Sequence, residues 1–138
     1  MLETTTETGT RADRRLREEI MIWLTTGRSD GQPQSVPVWF LRDGETFLIY
    51  SQPDRQKLRN IGRNARVGLH LNANDRGGDV ARIEGAVEVV EDVPPANEVG
   101  AYVEKYRESI ARIGIDPEGF ARAYSVALRV KPDRWRVW

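Results

Sequence analysis

The sequence has 138 residues, which is long enough for one domain with a sizeable hydrophobic core. Its 21 basic and 21 acidic side chains cancel, so we expect no general electrostatic attraction to nucleic acid and none to an anionic membrane. The sequence has no cysteine, which excludes disulfides, thiolate zinc sites and iron–sulfur clusters. The single histidine argues against a histidine-rich metal centre, and no metal site is predicted.

The N-terminal part divides into two segments with different patterns. Residues 1–10 are rich in threonine and glutamate without apolar periodicity, which predicts a disordered tail before a single domain at residues 11–138. Residues 11–25 predict a helix, because apolar side chains such as Leu16 and Ile20 recur at helical spacing. There is no hydrophobic signal core, and no apolar run approaches the ~20 residues that cross a bilayer, so a cytoplasmic location is expected.

The next segment, residues 28–51, predicts β-strands. Residues 35–41 are mostly β-forming but contain Pro37, which cannot donate to a central ladder and so indicates an edge strand or a bulge. Residues 42–45 contain an Asp-Gly pair typical of a hairpin turn. Residues 46–50 then return antiparallel to the preceding strand.

The most informative stretch follows the strand that ends at Ser51. Asp54 is predicted to cap a short basic helix at residues 55–63, and an alternating strand follows at residues 67–71. The start of this helix would combine free backbone N–H groups with cationic side chains, an arrangement that binds phosphate. The alternative interpretation is a solvated basic surface, because the stretch lacks both common glycine-rich phosphate-binding loops.

The C-terminal half alternates between β-type and helical patterns. We predict a strand at residues 79–91 with a bulge at Gly85, helices at 96–112 and 118–123, and strands at 124–130 and 133–138. About six or seven strands would therefore follow one another mostly as hairpins, which favours an antiparallel α+β barrel over a doubly wound sheet.

Few single residues suggest chemistry of their own. His70 could be a general base, but a lone histidine on a strand is more often a surface or structural group. Trp39 and Trp138 could pack in the core or form walls for a planar ring cofactor. Because no side-chain set is suited to difficult chemistry, we expect a bound cofactor to supply it.

Four segments carry a family resemblance: TTGRSDGQPQSVPVWF, LIYSQPDRQKLRNIGRNARVGL, ARIEGAVEVV and VKPDRWRVW. Together they resemble the pyridoxamine-phosphate-oxidase-like split β-barrels, which bind flavins or deazaflavins. The pattern Ser51…Lys57-x-x-Asn60…Val67 is its most specific part. Within the family, the chain is most similar to short members that use the deazaflavin coenzyme F420. The resemblance implies an α+β antiparallel split β-barrel with peripheral helices that works as a homodimer.

The resemblance also implies which residues bind the cofactor. The phosphate clamp corresponds to Arg55, Gln56 and Lys57, the strand-end hydroxyl to Ser51, and the strand along the ring to Ser35, Val36, Pro37, Val38 and Trp39. Trp138 matches a tryptophan that, in the flavin oxidases of the family, approaches the partner subunit's cofactor. No catalytic residue or proton donor is identified in this way.

The implied activity is hydride transfer between reduced coenzyme F420 and a small conjugated organic acceptor. Flavin mononucleotide (FMN) is an alternative cofactor, because both molecules place a phosphate in the same clamp. A non-catalytic F420 or flavin carrier and a plain structural dimer are further alternatives. The sequence lacks the arginine-containing C-terminal segment that holds pyridoxal phosphate in the true oxidases, so pyridoxamine-phosphate oxidation is not expected.

Overall fold

The computed structural model describes residues 2–138, in which helices surround one seven-stranded sheet. The helices are α1 (Glu7–Glu18), α2 (Gln56–Arg63), α3 (Gly100–Arg112) and α4 (Pro117–Ala123), with a 3₁₀ turn at Ala96–Glu98. The strands are β1 (Met21–Gly27), β2 (Pro33–Trp39), β3 (Leu41–Asp43), β4 (Thr46–Ser51), β5 (Arg66–His70), β6 (Ala81–Val90) and β7 (Val126–Val137). No helix among the described residues is both long and apolar enough to cross a membrane.

The strand order is β2-β1-β5-β6-β7-β4-β3, and every neighbouring pair is antiparallel. This arrangement, with its helices, confirms the predicted antiparallel α+β class. Strand β2 lies at one edge of the sheet and pairs only with β1, which confirms the edge position predicted from Pro37. Within residues 2–138, the outer edge of β2 therefore has no neighbouring strand.

Two hydrophobic clusters stabilise the fold on opposite faces of β4. Phe47 and Ile49 belong to the larger cluster, which is formed mainly by the strands and α1. Leu48 and Tyr50 point the other way, because successive side chains of a strand alternate between its faces. Helices α3 and α4 cover that second face with aromatic side chains, so β4 is buried on both sides.

The predicted helix at residues 11–25 was wrong at both ends. Helix α1 begins at Glu7, where the Thr6 side chain accepts a hydrogen bond from the Gly9 N–H and caps it. It therefore starts inside the segment predicted to be a disordered tail, and Leu2 is buried in the larger core cluster. The chain is already in β1 at Met21. Alternate residues of β1, including Ile22 and Leu24, are buried against the core, and this two-residue period overrides the helical spacing.

The predicted bulge at Gly85 is confirmed, but the predicted break between two final strands was wrong. Strand β7 runs unbroken through Pro132, which lies opposite Gly85 where the β6–β7 register shifts. A bulge leaves one residue outside the regular ladder, so a proline is tolerated there without ending the strand.

Candidate functional site

The start of α2 lies beside the edge strand β2 and the end of β4. Asp54 adopts a left-handed conformation (φ 61°) and does not cap the helix, so the predicted capping role was wrong. Arg55 is the N-cap residue instead, and its side chain makes no capping hydrogen bond. The first N–H groups of α2 therefore lack a side-chain partner, which leaves them available to an anion.

A cavity of about 480 Å³, which we call the main cavity, lies between these elements. Six of the predicted site residues line it: Pro37, Val38, Trp39, Ser51, Arg55 and Lys57. Its remaining walls include Met21, Tyr50, Gln52, Ile113, Phe120 and Tyr124. The lining thus combines aromatic rings with two cations, which suits a planar ligand that carries an anionic group.

A second cavity of about 310 Å³, which we call the polar cavity, adjoins the first at Lys57. Its lining includes the predicted residues Ser35, Val36, Gln56 and Lys57, together with Thr26, Gln34 and Asn60. Counting Lys57 once, the two cavities bring together nine of the ten predicted site residues. Their role in cofactor binding stays a prediction.

Trp138 is the predicted site residue that the structure does not bring to this place. It lies beyond the end of β7, exchanges backbone hydrogen bonds with Val80, and is 50% exposed. The Arg136 guanidinium lies 6.0 Å from the centre of its ring. Trp138 lines neither cavity, so in this chain it stays a candidate only for contact with a partner subunit's cofactor.

The two cations of the main cavity have no acidic partner in the part of the chain that the structure describes. No carboxylate lies within ion-pair distance of Arg55 or Lys57, and Arg55 instead donates to the Gln52 side-chain oxygen. Burial lowers the pKa of Lys57, and the neighbouring Arg55 charge lowers it further. An anion bound here would oppose this lowering of the pKa, because an opposite charge stabilises the ammonium form.

A buried amide network, which the sequence did not predict, holds α2 against the sheet. The Asn60 amide donates to Thr26 Oγ1 on β1 and to Gln34 Oε1 on β2, at 2.9 Å each. Gln56 Nε2 in turn donates to Asn60 Oδ1 at 2.9 Å. Asn60 is fully buried, so the network fixes the helix and orients the Gln34 and Gln56 side chains that line the polar cavity.

Trp39 packs against the helical layer, and it also lies at the main cavity. Its ring stacks on Tyr106 at 4.8 Å and on Phe120 at 5.3 Å, which ties it to the helical layer. It also lines the main cavity, next to Phe120 and Tyr124, whose rings stack at 4.3 Å. Phe120 of α4 and Tyr124, which follows that helix, thus line the cavity together with residues of the sheet.

His70 lies away from both cavities. It pairs with Trp23 across β1 and β5, and the two rings stack at 6.3 Å between centres. This contact fits the structural interpretation of His70. Among residues 2–138, no cluster of three histidine or carboxylate side chains is placed to hold a metal ion.

Comparison with known proteins identifies the family. Residues 10–138 match the family model described as pyridoxamine 5'-phosphate oxidase. The chain belongs to this family. The predicted split β-barrel is therefore confirmed, and so is the resemblance read from the four sequence segments. No curated protein sequence matches the chain.

Several solved structures superpose on most of the chain. A protein described as an F420 reductase shares 26% sequence identity and a TM-score of 0.67, covering 90% of this chain and 94% of its own. A conserved hypothetical protein from Mycobacterium tuberculosis shares 21% identity with a TM-score of 0.74, covering 97% of this chain and 85% of its own. The haem storage protein HutZ from Vibrio cholerae shares 14% identity with a TM-score of 0.66, covering 96% of this chain and 95% of its own. The last two comparisons support the fold alone.

Proposed function

We propose that this protein is an F420-dependent oxidoreductase that binds the coenzyme in the main cavity, with the phosphate on Arg55 and Lys57. The observation that carries the proposal is a pair of cations without an acidic partner among the described residues, at the uncapped start of α2, in a cavity that aromatic residues also line. The similarity to an F420 reductase, at 26% identity over 90% of this chain, supports the choice of cofactor.

Each part of the site has a separate task in the proposal. Arg55 can grip a phosphate through two hydrogen bonds, and Lys57 adds a compact charge. The free outer edge of β2 offers backbone groups to the edge of a ring. Trp39, held by Tyr106, keeps the wall of the cavity rigid. The bound coenzyme would supply hydride chemistry, while the protein supplies orientation and exclusion of water.

We also propose a homodimer, as the family resemblance implies. Trp138, half exposed at the end of the sheet, would then approach the partner subunit's coenzyme. The acceptor in the proposed reaction is a small conjugated organic molecule.

A titration of the purified protein with coenzyme F420 and, separately, with FMN tests the proposal. Trp39 lines the main cavity, so a bound ring is expected to quench tryptophan fluorescence in a saturable way. Quenching by F420 at lower concentrations than FMN supports the deazaflavin. A preference for FMN assigns the same cavity to a flavin, and no response to either compound refutes cofactor binding.

A further inference from the structure

A third large cavity lies behind the main one. It has a volume of about 490 Å³ and lies between the end of β6, the start of β7 and the end of α4. Two side chains, Tyr50 and Tyr124, line both this cavity and the main cavity. We call it the rear cavity, and the two shared side chains place it next to the main cavity.

The lining of the rear cavity is mostly aliphatic. The residues with apolar side chains are Val89, Val90, Val93, Pro94, Pro95, Ala121, Val126 and Ala127. Val89 is 55% exposed, which is unusual for a valine of a sheet whose other large aliphatic residues are mostly buried. A volume of this size is typical of small-molecule sites.

The two shared tyrosines differ in how firmly they are held. The Tyr50 hydroxyl donates to the Pro94 carbonyl oxygen at 2.7 Å, and its ring packs edge-on against Tyr102. Tyr124 stacks on Phe120, but its hydroxyl makes no hydrogen bond within residues 2–138 of the structure. Tyr50 is therefore a fixed wall, whereas the Tyr124 hydroxyl is available to a molecule that occupies both cavities.

The charges on the two cavities are opposite. Arg55 and Lys57 line the main cavity, whereas the described lining of the rear cavity contains no basic residue and includes the acidic residue Glu91. An anionic molecule is therefore disfavoured in the rear cavity, because no basic residue of its described lining could pair with the negative charge.

We infer that the rear cavity binds the apolar part of a neutral or cationic small molecule, which reaches the main cavity past Tyr124. The inference rests on the proposed function, in which this molecule is the hydride acceptor. The acceptor would thus be an apolar compound without a carboxylate or phosphate at the end that enters the rear cavity.

Two fluorescent probes with the same aromatic skeleton test this inference. N-phenyl-1-naphthylamine is neutral, and 8-anilino-1-naphthalenesulfonate adds a negative charge. Val89→Phe enlarges an exposed residue of the rear-cavity lining, and Ala121→Leu enlarges a buried one. Ile115→Phe is the matched control, because Ile115 is an exposed aliphatic residue that lines neither cavity.

We expect the neutral probe to bind the unaltered protein saturably and to lose about tenfold in affinity in Val89→Phe and Ala121→Leu, but not in Ile115→Phe. Sulfonate binding is expected to be insensitive to Val89→Phe. The inference is overturned if the neutral probe binds all variants with equal affinity. It is also overturned if Val89→Phe weakens binding of the sulfonate probe as strongly as binding of the neutral probe.

The F420 titration on the same samples separates this inference from the proposed function. If the coenzyme binds but the affinity of the neutral probe is the same in the cavity variants, the rear cavity is excluded as a binding site while the proposed cofactor site stands. If the probe responds but neither F420 nor FMN binds, the rear cavity is a binding site and the proposed acceptor role is rejected.

Discussion

Lys57 occupies the junction of the main and polar cavities, where a half-buried ammonium lacks a carboxylate partner among the described residues. Desolvation of a charge is unfavourable unless a counter-charge compensates for it. We therefore expect Lys57 to contribute more to the binding of an anion than an exposed lysine would.

Replacing Lys57 by alanine should weaken coenzyme binding by about 1–3 kcal/mol, or roughly 5- to 150-fold in Kd, because a charged hydrogen bond to phosphate is lost. Fluorescence titration with F420 measures the effect. Lys131→Ala is the matched control, since Lys131 is exposed and pairs with Glu88. Unchanged affinity in a folded Lys57→Ala protein would refute the phosphate assignment.

Asn60 acts on the site through its neighbours. Asn60→Ala removes three hydrogen bonds and leaves Gln34 and Gln56 without their amide partner. We expect a loss of about 1–3 kcal/mol in the free energy of unfolding, since buried polar groups lose their partners. Urea unfolding measures the loss, with the partly exposed Asn97→Ala as control. An equal effect of the two substitutions would contradict a special role for the network.

At the scale of elements, the pairing of β6 with β7 contains a bulge at Gly85, and this bulge depends on the absence of a Cβ atom at that residue. A Cβ atom at Gly85 would lie 2.4 Å from the Lys131 carbonyl oxygen and 3.0 Å from Pro132 Cα. Both neighbours are backbone atoms, so relief of the clash requires the two longest strands of the sheet to move apart.

Gly85→Ala is therefore expected to destabilise the fold by about 1–3 kcal/mol. Gly62→Ala is the control, and it is expected to change the stability in the opposite direction. Gly62 lies inside α2 with nothing within 4 Å of the added Cβ, so alanine should stabilise the helix by about 0.5–1 kcal/mol. Unfolding midpoints of the two variants should thus move in opposite directions, and a shift in the same direction would contradict the bulge argument.

Across the whole molecule, the sequence predicts what is local and leaves out what depends on distant packing. The turn from Ser51 into a basic helix could be predicted because adjacent residues determine it. The contribution of Phe120 and Tyr124 to the main cavity could not, because it depends on α4 packing against a strand some 80 residues earlier in the chain. The apolar spacing of residues 16–24 was misassigned for a related reason, since pairing of β1 with two other strands outweighs local helical periodicity.

The helical layer is joined to the sheet by Lys105 of α3. Its ammonium group donates to the Phe40 carbonyl oxygen at 2.7 Å and lies 3.8 Å from the centre of the Phe40 ring. These contacts favour the charged form, but burial outweighs them and lowers the pKa of Lys105 from 10.5 to about 8.

This shift gives stability a defined pH dependence. Between pH 8 and 10.5 the unfolded chain holds a proton on Lys105 that the folded protein has released, so stability rises with pH in this window. Burial also raises the pKa of Tyr50 from 10.0 to about 12, which favours the protonated phenol in the folded state and makes stability fall above pH 10. Urea unfolding of the unaltered protein and of Lys105→Met from pH 7 to 10 separates the two effects, because only the lysine is removed. The stability of the unaltered protein relative to Lys105→Met should increase from pH 8 upward, whereas parallel curves would mean that the contacts with Phe40 keep the ammonium charged.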